Sequence, residues 1–178
     1  MNFPLLKTFE VSESLTSFLN KKFYLYKKEN DSFDVQENYF DDQNGYQTRN
    51  LLEWEDKEFH EFVDKRLTEL VSSQLDIDRS KVSYQWLHFL DYEKGGSMGY
   101  HNHWHNEDFV LFIYLKDCDS GSTKFHLNHF NEECADRTQI NILPKENHAA
   151  IFSSLVMHKG EYTEENKRIF VVGIRVSV

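Results

Sequence analysis

The decapeptide GYHNHWHNED, residues 99–108, sets three imidazoles at alternate positions, His101, His103 and His105, with Glu107 and Asp108 close behind. Imidazole is the commonest protein metal ligand. On an extended strand the side chains at i and i+2 share a face. His101 and His103 can therefore reach one ion, with His105 joining them where the strand continues. A third ligand must come from elsewhere in the chain. The stretch SSLVMHKGEYTEENKRIF offers His158, at the end of an apolar strand and followed by a turn. Ten residues on is Arg168, the first residue of the last strand, on the face of Phe170, Val172, Ile174 and Val176. A guanidinium in that neighbourhood needs an anion, and arginine suits bidentate carboxylate binding. The chemistry these residue types allow is a metal centre beside a site for an acid.

The elements that must position them change character near residue 80. Before it, Leu52, Phe59, Phe62, Val63, Leu67, Leu70 and Val71 recur at three- and four-residue steps, which predicts an amphipathic helix over 52–75. A short helix is expected over 11–20, and 38–50 reads as a loop around Asn44-Gly45. After it come successive strands, at 81–93, 109–115, 123–130, 137–144, 149–156 and 168–178. The run FVLFIYL, 109–115, is continuous enough to be buried on both faces. Six or more strands with short turns predict a sandwich or barrel, mainly β, with the helical first third packed on its outside.

At 178 residues the chain fits a single domain, 1–80 as helical support and loops and 81–178 as the β core. The net charge of −10 argues against a grip on phosphate backbones or anionic lipid, so neither a nucleic-acid nor a membrane partner is expected. Cys118 and Cys134 form no CxxC pair and read as reduced thiols. The N-terminal MNFPLLKTFEVSESL lacks a basic region followed by an apolar one. The longest apolar run falls far short of the roughly 20 residues of a membrane helix. A soluble, cytoplasmic protein is the expectation.

Three segments in order carry a family resemblance over residues 82–178. FLDYEKGGSMGYHNH resembles the tyrosine, glycine turn and first metal motif of the iron(II)- and 2-oxoglutarate-dependent oxygenases, in their prolyl-hydroxylase-like branch. LFIYLKDCDSGSTKF is similar to that family's "YLN…GGET.F" segment. LPKENHAAIFSSLVMHKGEYTEENKRIF resembles the stretch with the distal histidine and the cosubstrate-binding base. The resemblance implies a double-stranded β-helix (jelly-roll) barrel and hydroxylation of a peptide or small-molecule substrate by O2. It implies Fe(II) and 2-oxoglutarate, and admits ascorbate. His101 and His158 fall at the iron ligands, Arg168 at the far carboxylate of 2-oxoglutarate, and Tyr114 and Tyr92 beside that carboxylate.

The family motif is His-x-Asp or His-x-Glu, and here the pair is His101-Asn102-His103. His103 then replaces the carboxylate, or Glu107 or Asp108 supplies it. The register His105-Asn106-Glu107 matches literally but leaves only a tight connection to Tyr114. Trp104 is a candidate for facing substrate, Trp86 reads as core, His126 and His129 as exposed strand residues, and His148 as a satisfied loop histidine. A second reading is a cupin using His101, His103, Glu107 and His158 without Arg168. A third is a non-enzymatic domain whose histidines bind nothing.

Overall fold

The computed structural model describes residues 5–30, 44–104, 107–127 and 139–177. His105, Asn106, His129 and Cys134 lie outside the described residues, as do parts of the 38–50, 123–130 and 137–144 segments. Among the described residues, ten strands build two sheets. These are β1 (Leu6–Glu10), β2 (Gly45–Gln47), β3 (Val82–Tyr92), β4 (Met98–His101), β5 (Phe109–Tyr114), β6 (Thr123–His126), β7 (Gln139–Ile142), β8 (His148–Ser153), β9 (Met157–Gly160) and β10 (Lys167–Val176). The major sheet has the order β1-β8-β5-β10-β3-β2 and the minor sheet β4-β9-β6-β7. Every pairing is antiparallel. Together they form the expected mainly-β jelly roll.

The major sheet is buried on both faces, and strand alternation sorts its residues into two cores. Leu90, Tyr92, Val110, Phe112, Tyr114, Ile169 and Val171 face the minor sheet and meet Phe125 there. Leu87, Phe89, Leu111, Ile113, Phe170 and Val172 face the helices. All six residues of β5 are buried, as FVLFIY predicts.

The helical layer is α1 (Glu13–Glu29), α2 (Lys57–Phe62) and α3 (Thr68–Leu75), the last two joined through a π turn at Val63–Leu67. The predicted 52–75 helix is thus interrupted. A 3-10 turn at Leu51–Glu53 precedes it, and α2 begins afresh where Asp56 accepts the Phe59 N–H at 2.8 Å. Asp56 also grips the buried Lys22 of α1 at 2.6 Å, tying the two helices together. α1 outruns the expected 11–20 segment because Leu19, Phe23 and Tyr26 continue its buried stripe.

Arg168 belongs to this layer, which corrects the sequence reading. It shares the helix-facing side of β10 with Phe170 and Val172. There its Nε donates to Asp91 Oδ1 at 3.1 Å and its Nη1 to Asn20 Oδ1 at 3.2 Å, with the guanidinium 3.8 Å over the Phe23 ring. The anion it needs is Asp91, its direct cross-strand partner. The pair welds α1 to the sheet, away from the inter-sheet space. Removing one member strands a buried charge. Arg168→Ala is expected to lower the unfolding free energy by about 3 kcal/mol in urea titration and to leave metal-induced stabilisation unchanged.

Candidate metal centre

The short strands β4 and β9 pair so that His101 stands directly opposite His158. Such a cross-strand pair puts both side chains on one face within reach of each other. This also corrects the expected 149–156 strand. β8 ends at Ser153, the chain turns, and His158 sits on its own strand in the other sheet. His103 lies past the end of β4, where its N–H donates to the Ser154 carbonyl at 2.9 Å. That bond carries the pairing two residues further and brings the third ring in.

The ring centroids are 4.3 Å apart for His101 and His158, 5.1 Å for His101 and His103, and 5.3 Å for His103 and His158. One ligand atom from each lies within 4.8 Å of the others. Two metal–imidazole bonds of ~2.1 Å span at most about 4.2 Å, so binding draws the rings slightly together.

Main-chain carbonyls fix the tautomers. His101 Nδ1 meets the Gly99 oxygen at 2.8 Å and His158 Nδ1 the Val156 oxygen at 3.1 Å. A carbonyl only accepts, so Nδ1 carries the proton and Nε2 the lone pair. Metal-binding histidines are oriented by this kind of outer hydrogen bond. His158 Nε2 is buried and has no hydrogen-bond partner. A buried polar atom without a partner costs free energy, and a cation at the centre removes that cost. Burial, then the neighbouring imidazoles, pushes His103 down to about 3 and His158 well below the usual histidine range. Both rings stay neutral through mildly acidic pH, the form in which an imidazole can take a cation.

Among the described residues no carboxylate joins this group. Glu107 accepts from the Trp86 indole N–H. Asp108 Oδ2 accepts the Val176 N–H at 2.8 Å. Neither supplies a ligand here, so the fourth cupin ligand is not assembled. Trp86 is half-buried and packs against the inter-sheet core, as expected, but it does more. It lines the centre's cleft and packs against His103 and His88 at 5.3 and 5.4 Å. Gly173 makes room for it, since a Cβ there would lie 2.4 Å from the indole.

The cleft has a volume of about 710 Å³ and is walled by the triad, Trp86, His88, Gln47 and Tyr92, among others. Trp104 is not in its wall. It is 59 % exposed and lines a separate groove with Lys81, Phe109 and Leu155. His126, expected to be exposed, is buried with its Nε2 2.6 Å from the Tyr100 hydroxyl. His148 is satisfied, with its Nδ1 3.2 Å from the Glu146 carbonyl.

Tyr92 and Tyr114 both face the inter-sheet core. Tyr114 donates to Thr123 Oγ1 at 3.0 Å, and Thr123 lines the cleft. Beside them is a residue the sequence reading passed over. Lys167, opposite Tyr92 in the β3–β10 register, is fully buried. Its ammonium donates to the Gly121 carbonyl at 2.9 Å and lies 3.8 Å over the Tyr92 ring. Burial pulls its pKa down to about 8. Strand parity could have found it, because Lys167 shares the face of Ile169 and Val171. His88 was also passed over. Its Nδ1 donates to the Thr48 carbonyl at 2.8 Å, which leaves Nε2 as an acceptor.

No family model matches the chain, and no curated protein matches it in sequence. Solved structures do match. A Pseudomonas putida prolyl-4-hydroxylase superposes with a TM-score of 0.70 at 12 % identity, over 98 % of this chain and 94 % of that one. A viral collagen prolyl hydroxylase from Paramecium bursaria Chlorella virus-1, in complex with 2-oxoglutarate, gives 0.65 at 16 %, over 98 % and 97 %. HygX from Streptomyces hygroscopicus, with nickel, 2-oxoglutarate and hygromycin B bound, gives 0.72 at 10 %, over 97 % and 83 %. The chain has the fold of the 2-oxoglutarate- and iron-dependent oxygenases across nearly its whole length.

At saturating Fe(II) under argon, wild-type protein is expected to melt roughly 5–10 °C higher than the metal-free form. His158→Ala should lose that increment. An equal rise in the variant would remove His158 from the centre.

Proposed function

We propose that the protein is an Fe(II)- and 2-oxoglutarate-dependent oxygenase, a hydroxylase of a small-molecule or peptide substrate. The observation that carries this reading is a buried ammonium, Lys167, that makes no ion pair among the described residues, set in the same inter-sheet core as the three-histidine centre; Glu161 acts on it only from a distance and is itself paired with Lys124 and Lys159. A buried cation without a counter-ion is costly. An incoming dicarboxylate relieves the cost.

In this reading His101, His103 and His158 would hold the iron. Lys167 takes the far carboxylate of 2-oxoglutarate, the role the sequence gave to Arg168. The Tyr92 ring lies against the lysine, and the Tyr114 hydroxyl donates to Thr123, which lines the same cleft as the triad. Bound iron supplies the oxidation in which O2, 2-oxoglutarate and substrate C–H give succinate, CO2 and substrate C–OH. Phe112, Phe125 and Phe152 pack around His158 with centroids 4.8–5.9 Å away and keep water from that side. Gln47, His88 and Trp86 line the open side, where a substrate enters. Prolyl hydroxylation is the nearest analogy, and fold alone does not choose a substrate.

A second reading has a specific observation behind it. Three imidazoles without a carboxylate also suit a metal-dependent enzyme or binding module of cupin type that does not use 2-oxoglutarate. Substrate-free conversion of 2-oxoglutarate to succinate separates the two. Turnover above the metal-free background supports the oxygenase. Its absence, together with no 2-oxoglutarate-dependent rise in melting temperature, supports the alternative.

Two further outcomes are expected. Lys167→Met removes a buried cation, so the variant should be as stable as wild type or more so, yet lose the increment that 2-oxoglutarate adds to the metal-loaded protein. The free lysine is charged only below about pH 8. The anion needs that charge, so 2-oxoglutarate affinity by calorimetry should be flat below pH 8. Above it, affinity should fall by up to about tenfold per pH unit. A pH-independent affinity between 7 and 9.5 would remove Lys167 from the carboxylate site.

A further inference from the structure

We infer that His103 sets the metal selectivity of the centre: an all-nitrogen donor set that favours nitrogen-preferring ions such as Zn(II), Ni(II) and Cu(II), and disfavours the oxygen-preferring Mn(II) and Mg(II). This rests on the triad being the metal centre, as proposed above, and adds what that centre selects. The resemblance leads to a carboxylate at position 103. The chain places an imidazole there and, among the described residues, brings no carboxylate in to replace it. The two nearest in sequence are each held by another group, although Glu107 lines the same cleft as the triad. Glu107 is held by the Trp86 indole N–H, and Asp108 by the Val176 N–H at the sheet end. The Glu107 arrangement is built into the sheet, because only a glycine at 173 lets the indole sit where it does. The same indole packs on the His103 ring and holds it in the cleft wall.

The chemistry follows from the donors. Mn(II) and Mg(II) are hard ions whose bonding is largely ionic, and they are best served by carboxylate oxygen. Zn(II), Ni(II) and Cu(II) bind imidazole well. Replacing a carboxylate by a neutral ring removes one negative charge from the coordination sphere. That loss weighs most on the ions that depend on charge. Every divalent site follows the general order in which Mn(II) is weakest, so the inference concerns how far His103 widens the gap.

The experiment is calorimetric titration of Zn(II) and Mn(II) into metal-free wild type and His103→Asp at one pH. The variant should bind Mn(II) more tightly relative to Zn(II), narrowing the affinity ratio by about tenfold or more. Cu(II) electron paramagnetic resonance gives an independent readout, with hyperfine coupling from three nitrogens in wild type and two in the variant. His103→Ala, compared in EDTA, shows whether the position tolerates change without metal. An unchanged Zn(II):Mn(II) ratio, or an unchanged nitrogen count, overturns the inference. If the ratio narrows while 2-oxoglutarate neither turns over nor stabilises, the inference stands and the oxygenase reading falls. If Zn(II) binds His158→Ala as tightly as wild type, the centre lies elsewhere and both fall.

Discussion

The His101–His158 cross-strand pair ties two segments more than fifty residues apart to one point, and much of the barrel serves to keep that point dry and aligned. Its strands are short, four residues each, and lie in the smaller sheet. Short strands have little pairing strength of their own. Their alignment is held from behind by the aromatic core, where Phe125, Phe152 and Phe112 pack on the His158 ring. The major sheet behind that core is in turn sealed by helices on its far side. The layers are therefore ordered by dependence. The helices bury the sheet, the sheet and its phenylalanines bury His158, and burial keeps the His158 and His103 rings neutral.

Strand parity gives two adjacent cations opposite fates. Arg168 and Lys167 are neighbours on β10, so alternation sends them to opposite faces. Arg168 meets Asp91, Asn20 and two aromatic rings and becomes part of the scaffold. Burial raises the Asp91 pKa even against the opposing pull of Arg168, so this pair is a positional lock more than a source of stability. Lys167 meets a carbonyl and a phenol ring and no carboxylate among the described residues. The first cation is complete as folded, and on the proposed reading a ligand carboxylate would complete the second.

The sequence carried the parts of this that depend on composition and periodicity. FVLFIYL gave a doubly buried strand, the 52–75 stripe gave the supporting helices, and the HNH spacing gave two of the three imidazoles on one face. It carried less of what depends on register. His158 looked like the end of the 149–156 strand because an apolar run does not show where the chain crosses to the other sheet. Arg168 looked like the anion-binding base because a count of ten residues from His158 fell on it. The same sequence placed it on the helix-facing side of its strand, and that parity argument was the stronger one. His126 looked exposed because alternation names the face but not what lies against it.

The electrostatics of the interior favour an order of events. On the proposed reading, a dication on the three imidazoles and a protonated Lys167 would place three positive charges in the inter-sheet core, where no carboxylate among the described residues forms an ion pair with Lys167. Low local dielectric makes that arrangement costly, and it strengthens the attraction for an anion that can touch both ends. A dicarboxylate chelating the metal at one end and meeting the lysine at the other offsets most of the excess at once. Monocarboxylates of similar size can offset only one end. On that reading, metal binding would raise affinity for the dianion, and by linkage the dianion would raise affinity for the metal by the same factor. A carboxylate at position 103 would weaken that coupling by neutralising part of the charge in advance. On the proposed reading, His103 would tie the choice of metal to the hold on the cosubstrate.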